Sequence, residues 1–102
     1  MEKVQSVQEI KENVASVLKG TDVLRCRMFG SYAKGQATLE SDIDLMVDFY
    51  PGKEPDLFAF IALRNKLSKR LGKRVDMTTS DALSPFIRGD VLNSAQTLYE
   101  RE

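Results

Sequence analysis

Apolar residues at Val4, Val7, Ile10, Val14, Val17 and Leu18 recur at steps of three and four, which predicts a helix with one buried face. Ser6 and Glu9 fit a capping box at its start, and Gly20 supplies its stop. The period then changes to two. Leu24, Cys26 and Met28 alternate with Arg25 and Arg27, predicting a strand over 23–29. A second alternation covers 43–49: Ile43, Leu45, Val47 and Phe49 fall on one side, and Asp42, Asp44, Met46 and Asp48 on the other. Between the strands, 30–35 reads as a turn with one short helical turn, and 37–41 as loop.

Residues 50–55 (YPGKEP) form a Pro/Gly linker. A helix is expected from Asp56 to Leu71, with Leu57, Phe60, Ile61, Leu67 and Leu71 as core positions and Gly72 as its end. A third strand over 74–78 sets Asp76 between Val75 and Met77. Ser84-Pro85 has the form of an N-cap followed by proline at the first helical position, with a helix to about Ser94 and a last short strand over 96–100. Phe58, Phe60, Phe86 and Tyr99 are expected to pack inside. The pattern predicts one domain over 1–102, of α/β or α+β class. Its small mixed sheet has three or four strands, helices packed on one face and the acids on the open one.

Composition narrows the chemistry. Lys+Arg and Asp+Glu stand at 15 each, so global charge points to neither nucleic acid nor membrane. The absence of histidine removes Ser-His and Cys-His catalysis and the usual zinc sites. The single cysteine, Cys26, sits among apolar residues and reads as a buried, inert thiol. No apolar run approaches the ~20 residues of a membrane span, and the amino terminus lacks a signal-peptide pattern, so a cytoplasmic protein is expected. The run 64–74 (RNKLSKRLGKR) is basic without an acid; its simplest meaning is a solvated helix face. No aromatic residue interleaves with it, which argues against direct nucleic-acid binding.

The candidate chemistry lies in Gly30-Ser31, ten intervening residues, and Asp42-Ile43-Asp44. Two acids on one side of a strand can supply the carboxylate oxygens that magnesium prefers. Asp76 completes the set if its strand lies beside theirs. Crowded carboxylates repel one another until cations bind, an arrangement fitted to two-metal phosphoryl or nucleotidyl transfer. Gly30 lets the backbone approach a triphosphate, Ser31 adds a hydroxyl, and Lys34 offers charge for the departing pyrophosphate. A Walker A loop fails because Gln36-Ala37 follow Gly35, and an EF-hand fails at Val47 and Lys53.

These motifs resemble the Gly-Ser-x10-Asp-x-Asp pattern of the DNA polymerase beta-like nucleotidyltransferase superfamily. More closely, GSYAKG, SDIDLMV, the VDM strand and the closing LSPFIRGDVLNSAQTLYE make the chain similar to minimal nucleotidyltransferases, the MNT or MntA-type antitoxins. The resemblance implies the polymerase beta-like fold and phosphate contacts at Gly30 and Ser31. It implies magnesium, two ions, on Asp42 and Asp44, with Asp76 as third ligand or base. It further implies a HEPN-domain toxin as partner, receiving AMP from ATP on a tyrosine. Many relatives carry arginine where this chain has Lys34, which keeps the charge and loses the bidentate fork. Transfer to a small molecule or RNA, and an antitoxin acting by binding alone, stay open at this point.

Overall fold

The computed structural model describes residues 4–101. Helix α1 (Val7–Leu18) leads into strand β1 (Val23–Phe29) and the single-turn helix α2 (Gly30–Ala33). Strand β2 (Ile43–Phe49), helix α3 (Leu57–Leu71), strand β3 (Val75–Thr79), a 3-10 turn (Ser80–Ala82), helix α4 (Pro85–Ser94) and strand β4 (Gln96–Glu100) follow. The sheet order is β3-β2-β1-β4. Strand β1 is antiparallel to both β2 and β4, whereas β2 and β3 run parallel, with α3 as the crossover that a parallel pair requires. No helix among the described residues is long and apolar enough to cross a membrane.

Local signals explain the element ends. Ser6 Oγ accepts from the Glu9 amide at 3.1 Å while the Glu9 carboxylate accepts from the Ser6 amide at 3.3 Å, closing the capping box. Asp56 caps α3 instead of entering it, accepting from the Ala59 amide at 2.8 Å. Gly72 ends that helix in the left-handed conformation, at φ +68.

One face of the sheet carries the core. Ile10, Val14 and Leu18 of α1 and Leu67 and Leu71 of α3 cover Val23, Cys26, Met28, Ile43, Leu45, Val47, Val75 and Leu98. Removing such an aliphatic side chain from water contributes roughly 1.5–3 kcal/mol. Strand β2, with Ile43, Leu45 and Val47 all fully buried, is therefore firmly seated.

Several packing expectations are corrected. Leu57 and Ile61 are exposed, because the stripe they share continues through Arg64 and Ser68. The neighbouring stripe Phe60, Leu63, Leu67 and Leu71 is apolar throughout and faces the core. Phe58 and Phe86 are not packing residues: they are 83% and 95% exposed. Val4 precedes α1 and is also exposed. On β1, the register shifts between Val23 and Arg25, so Leu24 is the extra residue of a bulge and Val23 takes its place in the core. Helix α4 buries none of its residues, and with the 3-10 turn it approaches the face opposite the core. Met46 is fully buried although it shares the acids' face.

Candidate active site

With Ile43, Leu45 and Val47 held in the core, alternation turns Asp44 to the opposite face. There it is flanked on both sides. Its register partner on the parallel side is Asp76, and on the antiparallel side Phe29, the last residue of β1. Adjacent strands lie about 4.8 Å apart, so the carboxylates of Asp44 and Asp76 project side by side. Asp76 is exposed and Asp44 half-buried. Asp42 lies one residue before β2, beside Arg74, whose carbonyl accepts from the Ile43 amide at 3.0 Å. Arg74 Nε stands 3.8 Å from Asp42 Oδ2, a solvent-exposed pair of the kind worth about 0–1 kcal/mol.

The electrostatics record the crowding. The carboxyl of Asp44 is held above its ordinary range, first by desolvation, then by repulsion from Asp76 and from Asp42. Among the described residues, however, no three acidic, histidine or cysteine side chains are gathered closely enough to hold a metal ion as they stand. The donors still fit magnesium, which takes one or two carboxylates and fills the rest of its octahedron with phosphate oxygens and water.

Gly30 is fitted to Asp44. A Cβ on Gly30 would lie 2.2 Å from Asp44 Oδ2, and the backbone there has φ +74. Only glycine meets both conditions. Because Phe29 is the register partner of Asp44, the chain leaving β1 must pass this carboxylate as it turns into α2. Two anchors hold the turn: Tyr32, 4% exposed in the core, and Gln96, whose Nε2 donates to the Ala33 carbonyl at 2.8 Å. Ser31 is half-buried in the turn, and Lys34 is exposed at its end.

Two further polar residues have different roles. Asp48, which the alternation sets on the acids' side of β2, is half-buried and accepts from the Ser80 hydroxyl. The thiol of buried Cys26 is pushed up to about 12 by burial and then by Asp48, which makes it inert at neutral pH. Sequence reasoning missed Arg74, hidden in the basic run, and Arg88, on α4. The alternation had separated Arg27 from the core side of β1 without showing what it would meet.

The chain matches the model of the nucleotidyltransferase domain over residues 7–98. It is 36% identical over 90 residues to MJ0435 of Methanocaldococcus jannaschii, provisionally named a protein adenylyltransferase, covering 88% of this chain and 95% of that protein. A solved structure provisionally identified as a minimal nucleotidyltransferase superposes with a TM-score of 0.75 at 33% identity, covering 93% of this chain and 98% of the other. The MNT antitoxin fold seen with a tri-AMPylated HEPN toxin of Shewanella oneidensis is similar at a TM-score of 0.69 and 22% identity, over 93% of this chain and 73% of that one. At that identity the likeness is one of fold.

Proposed function

Since the chain belongs to the nucleotidyltransferase domain family, we propose that it transfers AMP from ATP to a hydroxyl of a partner protein, a tyrosine of a HEPN-type toxin that it thereby neutralises. The observation that carries this reading is the register pairing of Asp44 with Asp76 directly beside Gly30. It puts two carboxylates next to a backbone turn that has no side chain to obstruct a triphosphate. The name of the M. jannaschii relative supports protein as the acceptor class.

In this mechanism the amides of Gly30 and Ser31 bind the donor's phosphates, and Lys34 draws the pyrophosphate away. Asp42 and Asp44 would hold magnesium, with Asp76 as a third ligand or as the group receiving the acceptor's proton. Bound magnesium supplies charge stabilisation to the attacking and leaving oxygens of an in-line displacement. The acceptor oxygen forms a bond to the α-phosphorus, the bond from that phosphorus to the bridging oxygen breaks, and pyrophosphate departs. The chain acts as one domain over 1–102, in the cytoplasm, where ATP and magnesium are supplied.

The test is incubation with the partner, magnesium and ATP labelled in the α-phosphate, read by intact mass. Added AMP units on the partner are expected, and none from the Asp42→Asn, Asp44→Asn double variant. An unlabelled partner that the double variant still neutralises would overturn transfer as the mechanism.

A further inference from the structure

A cavity of about 610 Å³ lies on the helix side of the sheet, away from the acids. It opens between the two helices that cover the core and is lined by Ser16, Val17 and Lys19 from the end of α1 and by Lys66, Lys69 and Arg70 of α3. The helices run antiparallel. Gln5, just before α1, donates through Nε2 to the Leu71 carbonyl at the end of α3 at 2.6 Å, and Arg70 Nε donates to Asn13 Oδ1 at 3.0 Å. Val17, packed against the core, is the apolar part of this furrow.

Four cations line the furrow and no acid does. Lys19, Lys66, Lys69 and Arg70 are all exposed, and none pairs with an acid among the described residues. Along α3, Lys66 stands three and four residues before Lys69 and Arg70, spacings that set side chains next to one another. Like charges at those spacings oppose folding, whereas a helix face that only meets water is steadied by a glutamate among its lysines. The helix dipoles favour Lys19 at the end of α1 and Lys69 and Arg70 in the last turn of α3. They do not account for Lys66, a turn earlier, or for the meeting of all four in one furrow.

The chain as a whole has no net charge, so this positive surplus is local. Nucleic acid is drawn by a basic excess over the whole domain and, when single-stranded, by aromatic platforms; the furrow offers neither. A short row of carboxylates needs only the four cations. We infer that the furrow between α1 and α3 is a docking surface for an acidic helix of a partner protein. A third helix packs into the groove that two neighbouring helices leave between them. Carboxylates on it at steps of three and four repeat at about 5–6 Å, the spacing of the cations along α3. An apolar side chain on the same face meets Val17. The active-site acids lie across the sheet, so a helix docked here leaves Gly30 and Asp44 open to a nucleotide. This surface does not depend on the transfer reading above.

Synthetic helical peptides of identical composition test this. One carries glutamates at steps of three and four along a single face; in the other the same glutamates are spread around the helix. Each is titrated into the whole chain, without ATP or metal, and followed by backbone amide resonances. With the first peptide, shifts should centre on Ser16, Val17, Lys19, Lys66, Lys69 and Arg70, while Gly30 and Asp44 stay put. Its affinity should exceed that of the second peptide at least tenfold. It should fall at least tenfold in the Lys66→Gln, Lys69→Gln double variant, whose unchanged amide signals elsewhere would show an intact fold. The charge-reversed Lys66→Glu, Lys69→Glu chain should instead prefer a peptide with lysines in place of the glutamates. Equal affinity for the two acidic peptides, or shifts scattered over the surface, would reduce the furrow to diffuse charge and overturn the docking surface. A short RNA duplex that binds the furrow more tightly than the single-face peptide overturns it in favour of nucleic acid. If the labelled-ATP experiment adds no AMP while the peptide still docks, the transfer reading has failed and the furrow has not.

Discussion

Gly30 and Asp44 claim the same space: a methyl group on the glycine would lie 2.2 Å from the Oδ2 of the acid. Backbone conformation adds a second constraint, since φ +74 costs an L-residue about 1–2 kcal/mol. Overpacking adds typically 1–3 kcal/mol. Gly30→Ala should therefore lose roughly 2–5 kcal/mol in urea unfolding and displace the Asp44 carboxylate, abolishing transfer. A variant that unfolds with the wild type and keeps its activity would show that the turn is free to move.

The raised carboxyl of Asp44 has a consequence for stability. Its proton is held more tightly in the folded chain than in the unfolded one, where an aspartate titrates near 3.9. Ionised Asp44 therefore opposes folding once pH rises through its folded value, and the penalty vanishes below the unfolded one. In EDTA at pH 7, Asp44→Asn should be more stable than wild type and melt at a higher Tm. The gap should close on acidification toward pH 4. Magnesium should raise the Tm of wild type and leave the variant nearly unchanged. A variant less stable than wild type at pH 7 would mean that the carboxylate is held by favourable contacts.

How far these relationships were legible differs by residue. Strands β1 and β2 follow the 23–29 and 43–49 readings because charged and apolar residues alternate there without ambiguity. The meeting of Asp44 with Asp76 was conditional, since a sequence does not state which strands pair or in what register. Gly30 was recognisable as a tight turn, but the carboxylate it makes room for belongs to another strand. Leu57 and Ile61 carry the right period, yet Arg64 and Ser68 on the same stripe decide its exposure. The Leu24 bulge has no signature in a strand of ordinary composition.

In the proposed magnesium site, Arg74 would compete with the cation for Asp42. The pair is 3.8 Å long with 77% of the arginine side chain exposed, so breaking it should change stability by no more than about 0.5 kcal/mol. Freed of that attraction, Asp42 is more available to a divalent ion. Arg74→Ala should bind manganese, read by paramagnetic relaxation, a few-fold more tightly than wild type. Weaker binding would recast Arg74 as a residue that positions the acid instead of drawing it away.

Phe86 is 95% exposed at the start of α4, a helix that buries none of its own residues and lies on the acids' side of the sheet. Folding gains almost nothing from a phenyl ring left in water, so Phe86→Ser should unfold within about 0.5 kcal/mol of wild type. Exposed aromatic side chains that become desolvated in a complex commonly carry a large share of its affinity. A partner protein approaching the acids from this side of the sheet meets α4, whose Arg88 and Leu92 line a neighbouring cavity. Phe86→Ser should therefore weaken partner binding at least tenfold by calorimetry, on the order of 1.4 kcal/mol or more. Equal affinity in the two proteins would place the partner's main contact elsewhere, with the exposed Leu57 and Phe58 at the start of α3 as the next surface to substitute.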